Sequence, residues 1–478
     1  MSNPKILFLL SGLKKKELED FRQFLRMPLV NTNSTLFQLL DHLIPMYPGF
    51  PEEQVEKEAI HAALFPKQAY KEKRIRSLFS DLAQKILDYY SWRALSENHF
   101  TKQFMTAEGL RGRGLSDLAT RYGGQVVQKL DAEEEVPVEQ RHLTGFQLHE
   151  LLLEENDNDM ELAERAQHHL DQFFMLSKLR LASLQVSRKG YLAGSSPIRF
   201  LETLLEEKER AQLPIVGQLY HRLVGLLANG FEESAFEEAK TLFFQEVPNL
   251  KFRDRRALFQ ALLNISVRVS NEQGTAANHL RTWDLYQQGL RSQAAFMENG
   301  ELSETTFTNI VINGAVIGEF EKAEQFIRDY VSRLAPEIRE NAVELGLAYL
   351  HYHQKDYDKV IGLLQNVVYT SVSYAVRGRS LLLRTYFDQA TGRPLVFSDP
   401  FYSLLEAFYR YVRRNKELSP ERKETYLNFV SFTKSLAQVA TAGRPYAGLG
   451  RVKENIAQSE RVALKEWLLE RAQFIERY

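Results

Sequence analysis

The stretch Gly318-Glu319-Phe320-Glu321-Lys322-Ala323 reads as the corner between two helices. Glycine closes a helix because, lacking a Cβ, it takes the left-handed conformation just past the last turn without strain. The phenylalanine two positions on packs the turn, and Ala323 is small enough for two helices to cross closely. A similar order of residue types recurs at Ser234-Ala235-Phe236-Glu237-Glu238-Ala239 and at Lys355-Asp356-Tyr357-Asp358-Lys359-Val360. A weaker version is Asn278-His279-Leu280-Arg281-Thr282-Trp283. The expected crossing residues are Ala239, Leu280, Ala323 and Val360. A further helix pair is expected over 372–415, through Leu381, Leu382, Leu383 and Tyr386, then Leu404, Leu405, Phe408 and Tyr411.

These corners resemble the Gly-x-Tyr-x-x-Ala turn of tetratricopeptide repeats, over residues 200–415. The resemblance implies an all-α chain built of stacked antiparallel helix hairpins, an α-solenoid, because a single hairpin cannot bury its apolar face alone. The spacing of the crossing residues is longer than the ~34-residue period of that repeat. Phe307 supplies the large aromatic expected early in a first helix, whereas Tyr330 and Val367 stand where a small residue is expected on the second. Phe24-Leu25 with Pro28 and Asn31, and Tyr411 to Lys416, are similar to segments of bacterial helical-repeat families.

Outward from this region the apolar residues still recur at three and four, the helical period. Leu18, Phe21, Phe24 and Leu25 line one face, and Leu36, Leu39, Leu40 and Leu43 the next. Ala59, Ile60, Ala63 and Leu64 mark a short third helix, and Ile75 to Tyr90 a longer fourth. Helices are also expected over Leu115–Leu130, Phe146–Leu153 and Leu162 to Val186. Prolines punctuate: Asp399-Pro400 and Ser419-Pro420-Glu421 each read as an N-cap followed by proline at the first helical position. The expected organisation is an N-terminal helical bundle over 1–95, an irregular helical layer over 96–195, the tetratricopeptide-like solenoid over 196–440, and a loop with a C-terminal helix over 441–478.

Composition removes several classes of function. The 478 residues hold no cysteine, which excludes disulfides, thiol nucleophiles and cysteine-ligated metals. The formal net charge of −1 gives no global attraction to nucleic acid or anionic lipid. The apolar run Ile6–Leu10 is too short for a signal-peptide core, and its lysines follow rather than precede it. No apolar stretch is long enough to cross a bilayer. A cytoplasmic protein without membrane or cofactor is expected.

No enzyme signature is visible. His351 and His353, two apart on a helix, face different ways, and the adjacent His168 and His169 meet the same objection. The acidic run Asp157, Asp159 and Glu161 lacks the central glycine of a calcium loop. Gly109-x-x-Gly112-x-Gly114 has no Lys-Ser/Thr pair, and Gly448-x-Gly450-Arg451-Val452-Lys453 follows no strand, so neither is a phosphate loop. Gly194-Ser195-Ser196-Pro197 reads as a helix start, not a nucleophile elbow.

The surface on which a function is expected is the inner wall of the solenoid. Asn309 and Asn313 lie four apart on a helix expected over 305–317, beside Thr305 and Thr308. Tyr349 and His353 are also four apart, and Arg377 and Arg384 seven apart, so each pair shares a face. Asparagine can hold a peptide backbone through donor and acceptor together. These six residues form the expected binding site of a protein–protein interaction scaffold, with an acidic or C-terminal peptide as its partner. The alternative is nucleic-acid binding through basic patches over 67–76 (Lys71, Lys73, Arg74, Arg76) or 410–416 (Arg410, Arg413, Arg414, Lys416), the latter interleaved with Tyr409 and Tyr411, whose rings could stack on bases.

Overall fold

A computed structural model describes residues 5–132, 136–155, 158–188, 197–206, 213–365, 367, 369, 371–392, 394–443 and 446–477. The described residues are all-helical, with 23 α-helices and no strand. The sole bridge among them pairs Thr391 with Val396. None of these helices is long and apolar enough to cross a membrane. The chain divides into two compact units, Met1–Leu170 and Asp171–Tyr478; the division falls inside the stretch expected as one irregular layer.

The first unit contains α1 (Lys5–Ser11), α2 (Lys15–Arg26), α3 (Ser34–Leu43), α4 (Lys57–Leu64), α5 (Glu72–Glu97), α6 (His99–Arg111), α7 (Ser116–Ala132), α8 (Val138–Glu155) and the start of α9 (Met160–Arg188). The long helix α5 packs against each of α1 to α4. Its Ile75, Leu82, Ile86 and Tyr89 share one core with Phe21, Leu25, Leu39, Leu43 and Ile60. The Tyr89 ring lies 5.4 Å from that of Phe21 and 5.5 Å from that of Phe24. The apolar run at the N-terminus is itself a helix, not foreseen, because Ile6, Leu7 and Leu10 bury in this core. A second core joins Phe100, Val126, Leu130, Leu148 and Leu151 of α6, α7 and α8.

The second unit contains the rest of α9, the single-turn α10 (Leu201–Leu204), α11 (Ile215–Asn229), α12 (Glu233–Glu246), α13 (Phe252–Gln273), α14 (Ala276–Arg291), α15 (Glu304–Val316), α16 (Phe320–Tyr330), α17 (Arg339–His353), α18 (Tyr357–Leu364), α19 (Val372–Asp388), α20 (Asp399–Arg414), α21 (Pro420–Ala442), α22 (Leu449–Gln458) and α23 (Lys465–Arg477). From α11 onward each helix packs on the next. In addition α11 packs on α13, α15 on α17, α17 on α19, and α21 on α23.

Local sequence explains the helix boundaries. Asn33, Asn98, Thr275, Ser303, Ser371 and Ser419 each cap a helix by accepting a hydrogen bond from a backbone N–H of its first turn, which satisfies a donor left without a helical partner. The cap of α20 is Ser398, one residue before the expected Asp399, and its side chain makes no capping bond.

The corner that opened the sequence reading has the expected local form. Gly318 is left-handed at φ 80°, and Ala323 is fully buried. A Cβ on Gly314 would come within 2.9 Å of the Ala323 methyl, so α15 and α16 approach backbone to backbone. Ala239 and Val360 are fully buried too, but Leu280 is 47% exposed. The close approach on α14 is made instead by Trp283, against Gly314, and by Gly289, against the Phe259 ring. The motif order was misread there because Leu280 lies on the solvent side of a helix that begins at Ala276.

Candidate functional site

Four of the six expected site residues, Asn309, Asn313, Tyr349 and Arg377, belong to one stretch of α15, α17 and α19. Ser303 and Ser371 fix the starts of α15 and α19. Phe307, Ile310 and Val311 bury one side of α15, which turns Asn309 to the half-exposed side. Arg377 donates through Nη1 to Asn309 Oδ1 at 3.2 Å and to Thr308 Oγ1 at 3.4 Å. Thr308 can accept because its own proton goes to the Glu304 carbonyl, 2.8 Å away. Asn309 also shares a side-chain hydrogen bond with Tyr286 of α14, whose hydroxyl burial pushes up to about 12. Tyr349 of α17 reaches the same region, as an electrostatic neighbour of the Tyr374 hydroxyl.

Several polar atoms here have no hydrogen-bond partner among the described residues. They are Glu304 Oε1, Tyr374 Oη and Asn313 Oδ1. Tyr374 is 3% exposed and Asn313 8%. Buried groups of this kind are ordinarily satisfied, so each is an unmet hydrogen-bonding demand within the helical stack. Burial pushes the Glu304 carboxyl up while Arg377 pulls it down. Burial also pushes the Tyr374 hydroxyl up.

The other two, His353 and Arg384, belong to a separate cluster at the C-terminal ends of α17 and α19. Burial, then Arg384 and His279, hold the His353 imidazole down at about 4. The Arg384 guanidinium lies 4.3 Å from the Tyr352 ring centroid and 5.9 Å from that of Trp467. Beneath them the Asp388 side chain is 3% exposed. It accepts from the Tyr352 hydroxyl at 2.5 Å and from Trp467 Nε1 at 3.4 Å, and Arg471 Nε stands 3.4 Å away. Trp467 and Arg471 both come from α23, whose Glu466 carboxylate presses on Gly274. The C-terminal helix is therefore seated at this end of the expected wall. Tyr349 and His353 share a helix face but serve different clusters.

One constellation was missed. His142 and His149 of α8 meet His168 and His169 of α9, with ring centroids 5.1 to 6.1 Å apart. The Nδ1 atoms of His142 and His169 are 3.0 Å apart, so one donates and the other accepts. His149 Nδ1 donates to the Gly145 carbonyl at 2.7 Å. A Cβ on Gly145 would come within 2.7 Å of the His169 ring, so only glycine admits that imidazole. Burial, then His169, His168 and Arg141, lower His142 to about 4. The objection to chelation by adjacent histidines was local, and no spacing in the sequence announces that α8 supplies two more. No group of three or more His, Asp or Glu among the described residues is placed to hold a metal ion.

The remaining motifs lie apart from these clusters. Gly112 and Gly114 turn the chain between α6 and α7, with Arg113 donating to the Gly109 carbonyl at 2.8 Å. Gly448 leads into α22, where Lys453 pairs with Glu476 at 2.8 Å. In the 67–76 patch Arg76 and Lys57 both pair with Glu72, and Arg74 lies 3.6 Å from the Phe65 ring centroid. In the 410–416 patch Arg410, Arg413, Arg414 and Lys416 are exposed. The run Gly194–Ser196 and Asp157 of the acidic loop lie outside the described residues. No protein-family model matches this chain, no curated protein matches it, and no solved structure matches it.

Proposed function

We propose that this protein is a non-enzymatic interaction scaffold whose second unit is a stack of tetratricopeptide-like helix hairpins, binding a segment of a partner protein on the wall of α15, α17 and α19. Support for the hairpins comes from the sequential packing of α11 to α20, from the packing of α11 on α13 and α15 on α17, and from the buried small residues Ala239 and Ala323 at two of the corners. The observation that carries the functional reading is the half-buried polar wall at Asn309, Tyr349 and Arg377, with Glu304 Oε1, Tyr374 Oη and Asn313 Oδ1 unpartnered beside it. Rigid helices hold these groups in place before any ligand arrives, so little ordering cost attends binding. Quantitative affinity capture with the full chain tests the reading. Wild-type protein should enrich a defined partner that Arg377→Glu loses while its far-UV circular dichroism shows it still folded; equal capture by both would reject the wall as the docking surface.

The second reading, binding of single-stranded nucleic acid, is favoured by one observation. Arg410, Arg413, Arg414 and Lys416 make no ion pair among the described residues, and exposed Tyr409 directly precedes them. It predicts oligonucleotide binding that weakens steeply with salt. Absence of retention on single-stranded DNA at low salt would remove it.

A further inference from the structure

The helix α9 carries large apolar side chains on two faces. One face is buried: Gln172, Leu176, Leu179 and Ser183 lie on it, and a Cβ on Gly217 of α11 would come within 2.8 Å of the Leu176 side chain. Turned away from it are Leu170, Phe174, Leu181 and Leu184, each 40 to 48% exposed. Phe200, 62% exposed, sets its ring edge-on to Phe174 at 6.0 Å and widens the patch. Apolar side chains scattered singly on a surface need no explanation, but a continuous row of them marks a contact surface.

The spacing says what kind of contact. With Ser177, positions 170, 174, 177, 181 and 184 step by four and three in turn, the seam of helices that pack side by side along their length. The charges at its edge say which helix fits. Exposed Asp171 and half-buried Lys178 flank the seam on the same side. They stand about 10 Å apart along the axis, and neither makes an ion pair among the described residues. A second α9 laid antiparallel, with Phe174 opposite Ser177, puts a large ring against a small side chain and Leu170 against Leu181. The same alignment sets Asp171 of each copy beside Lys178 of the other, twice by symmetry. A parallel alignment sets Lys178 beside Phe173 and Asp171 beside Ala166, so no opposite charges meet.

We propose that the exposed face of α9 is a self-association surface, on which two copies of this chain pair antiparallel along the seam from Leu170 to Leu184, with Asp171 of each held by Lys178 of the other. The helix is its own complement in both shape and charge, and the pairing stands independently of the docking wall.

Sedimentation velocity on the full chain, over a range of micromolar concentrations, tests the pairing. The wild type is expected to pass from monomer to dimer as concentration rises. Leu181→Glu, at an exposed position, is expected to stay monomeric with unchanged far-UV circular dichroism. Asp171→Lys and Lys178→Asp are each expected to raise the dimer Kd at least roughly fivefold, since two opposite-charge pairs become like-charge pairs. The double exchange, Asp171→Lys with Lys178→Asp, should restore the wild-type Kd. Both charges lie at the edge of the seam, so the exchange reads the interface without altering the packing of the chain. A monomer at every concentration would overturn the proposal, whatever other protein then covers the face. So would a dimer indifferent to Leu181→Glu. Single charge reversals that leave the Kd unchanged, or a double exchange that fails to restore it, would overturn the antiparallel pairing.

Discussion

Arg377 of α19 donates to Asn309 of α15 at 3.2 Å, across a sequence separation of 68 residues. The two helices are held together at the wall although α17 lies between them in sequence. Both residues were expected on one polar surface, but as separate ligand contacts. Their mutual bond means that the wall is preorganised, and that part of its hydrogen-bonding capacity is already used.

The first prediction concerns that bond. Arg377→Ala removes donors to Asn309 and Thr308 from a half-buried site. The expected loss is about 1–2 kcal/mol of unfolding free energy, the usual net worth of one or two such bonds. Urea denaturation should show it as a lowered midpoint with unchanged slope. A slope change would indicate that the compactness of the native or unfolded state had altered.

Asp388 is expected to be more sensitive. Its side chain is almost fully buried and joins Tyr352 of α17 to Trp467 and Arg471 of α23. Asp388→Ala removes the buried acceptor of Tyr352 and Trp467 and one of two carboxylates near Arg471, an expected loss of about 2–3 kcal/mol. Hydrogen exchange should show the loss first as lowered protection of α23. Unchanged protection there would mean that the helix is held by Trp467 packing against Phe387 and Phe429 alone.

Acid should destabilise the protein through its buried histidines. His142 and His353 are both held near 4, below their ordinary 6.5, first by burial. The native state then binds fewer protons than the unfolded chain between those values. Stability is present in full above pH 6.5 and falls as the pH drops toward 4. Discounted for partial exposure, each histidine contributes about 1–2 kcal/mol over that window. The charged groups acting on His142 among the described residues are His169, His168 and Arg141, all of which disfavour a new positive charge. Denaturation from neutral pH down to about 4.5 should show the decline, and His142→Gln should flatten it by one histidine's share. An equal decline in the variant would assign the effect elsewhere.

Gly289 allows no side chain. A Cβ there would come within 2.0 Å of the Phe259 ring, which is fully buried and stacked on Phe243. Gly289→Ala must therefore push α13 from α14. The expected loss is about 1–3 kcal/mol, as for other overpacked cores. Gly362→Ala, with nothing within 4 Å of the added methyl, should be neutral or slightly stabilising.

Helix type and placement were legible in the sequence because apolar periodicity and capping residues are local signals. The corner at Gly318–Ala323 and the N-terminal bundle around Tyr89 follow from them. What a helix presents to distant segments was not legible. Leu280 was placed at a crossing, whereas the buried close approach falls three residues on, at Trp283. The histidines of α8 and α9 show no partnership until the two helices pack. Glu304 and Glu344 carry no signal in the sequence, and only packing brings them near Tyr374. The seating of α23 on Asp388 spans 79 residues to Trp467 and has no counterpart in any local pattern.

The docking wall is tested most directly by position-specific photo-crosslinking. A photoreactive phenylalanine replaces Tyr349, which is half-buried on α17, or Arg328, which is exposed on α16. After irradiation in native extract, position 349 should yield a discrete protein adduct, and position 328 should not. Equal adducts at both positions, or none at 349, would contradict the proposal that α15, α17 and α19 form the binding surface.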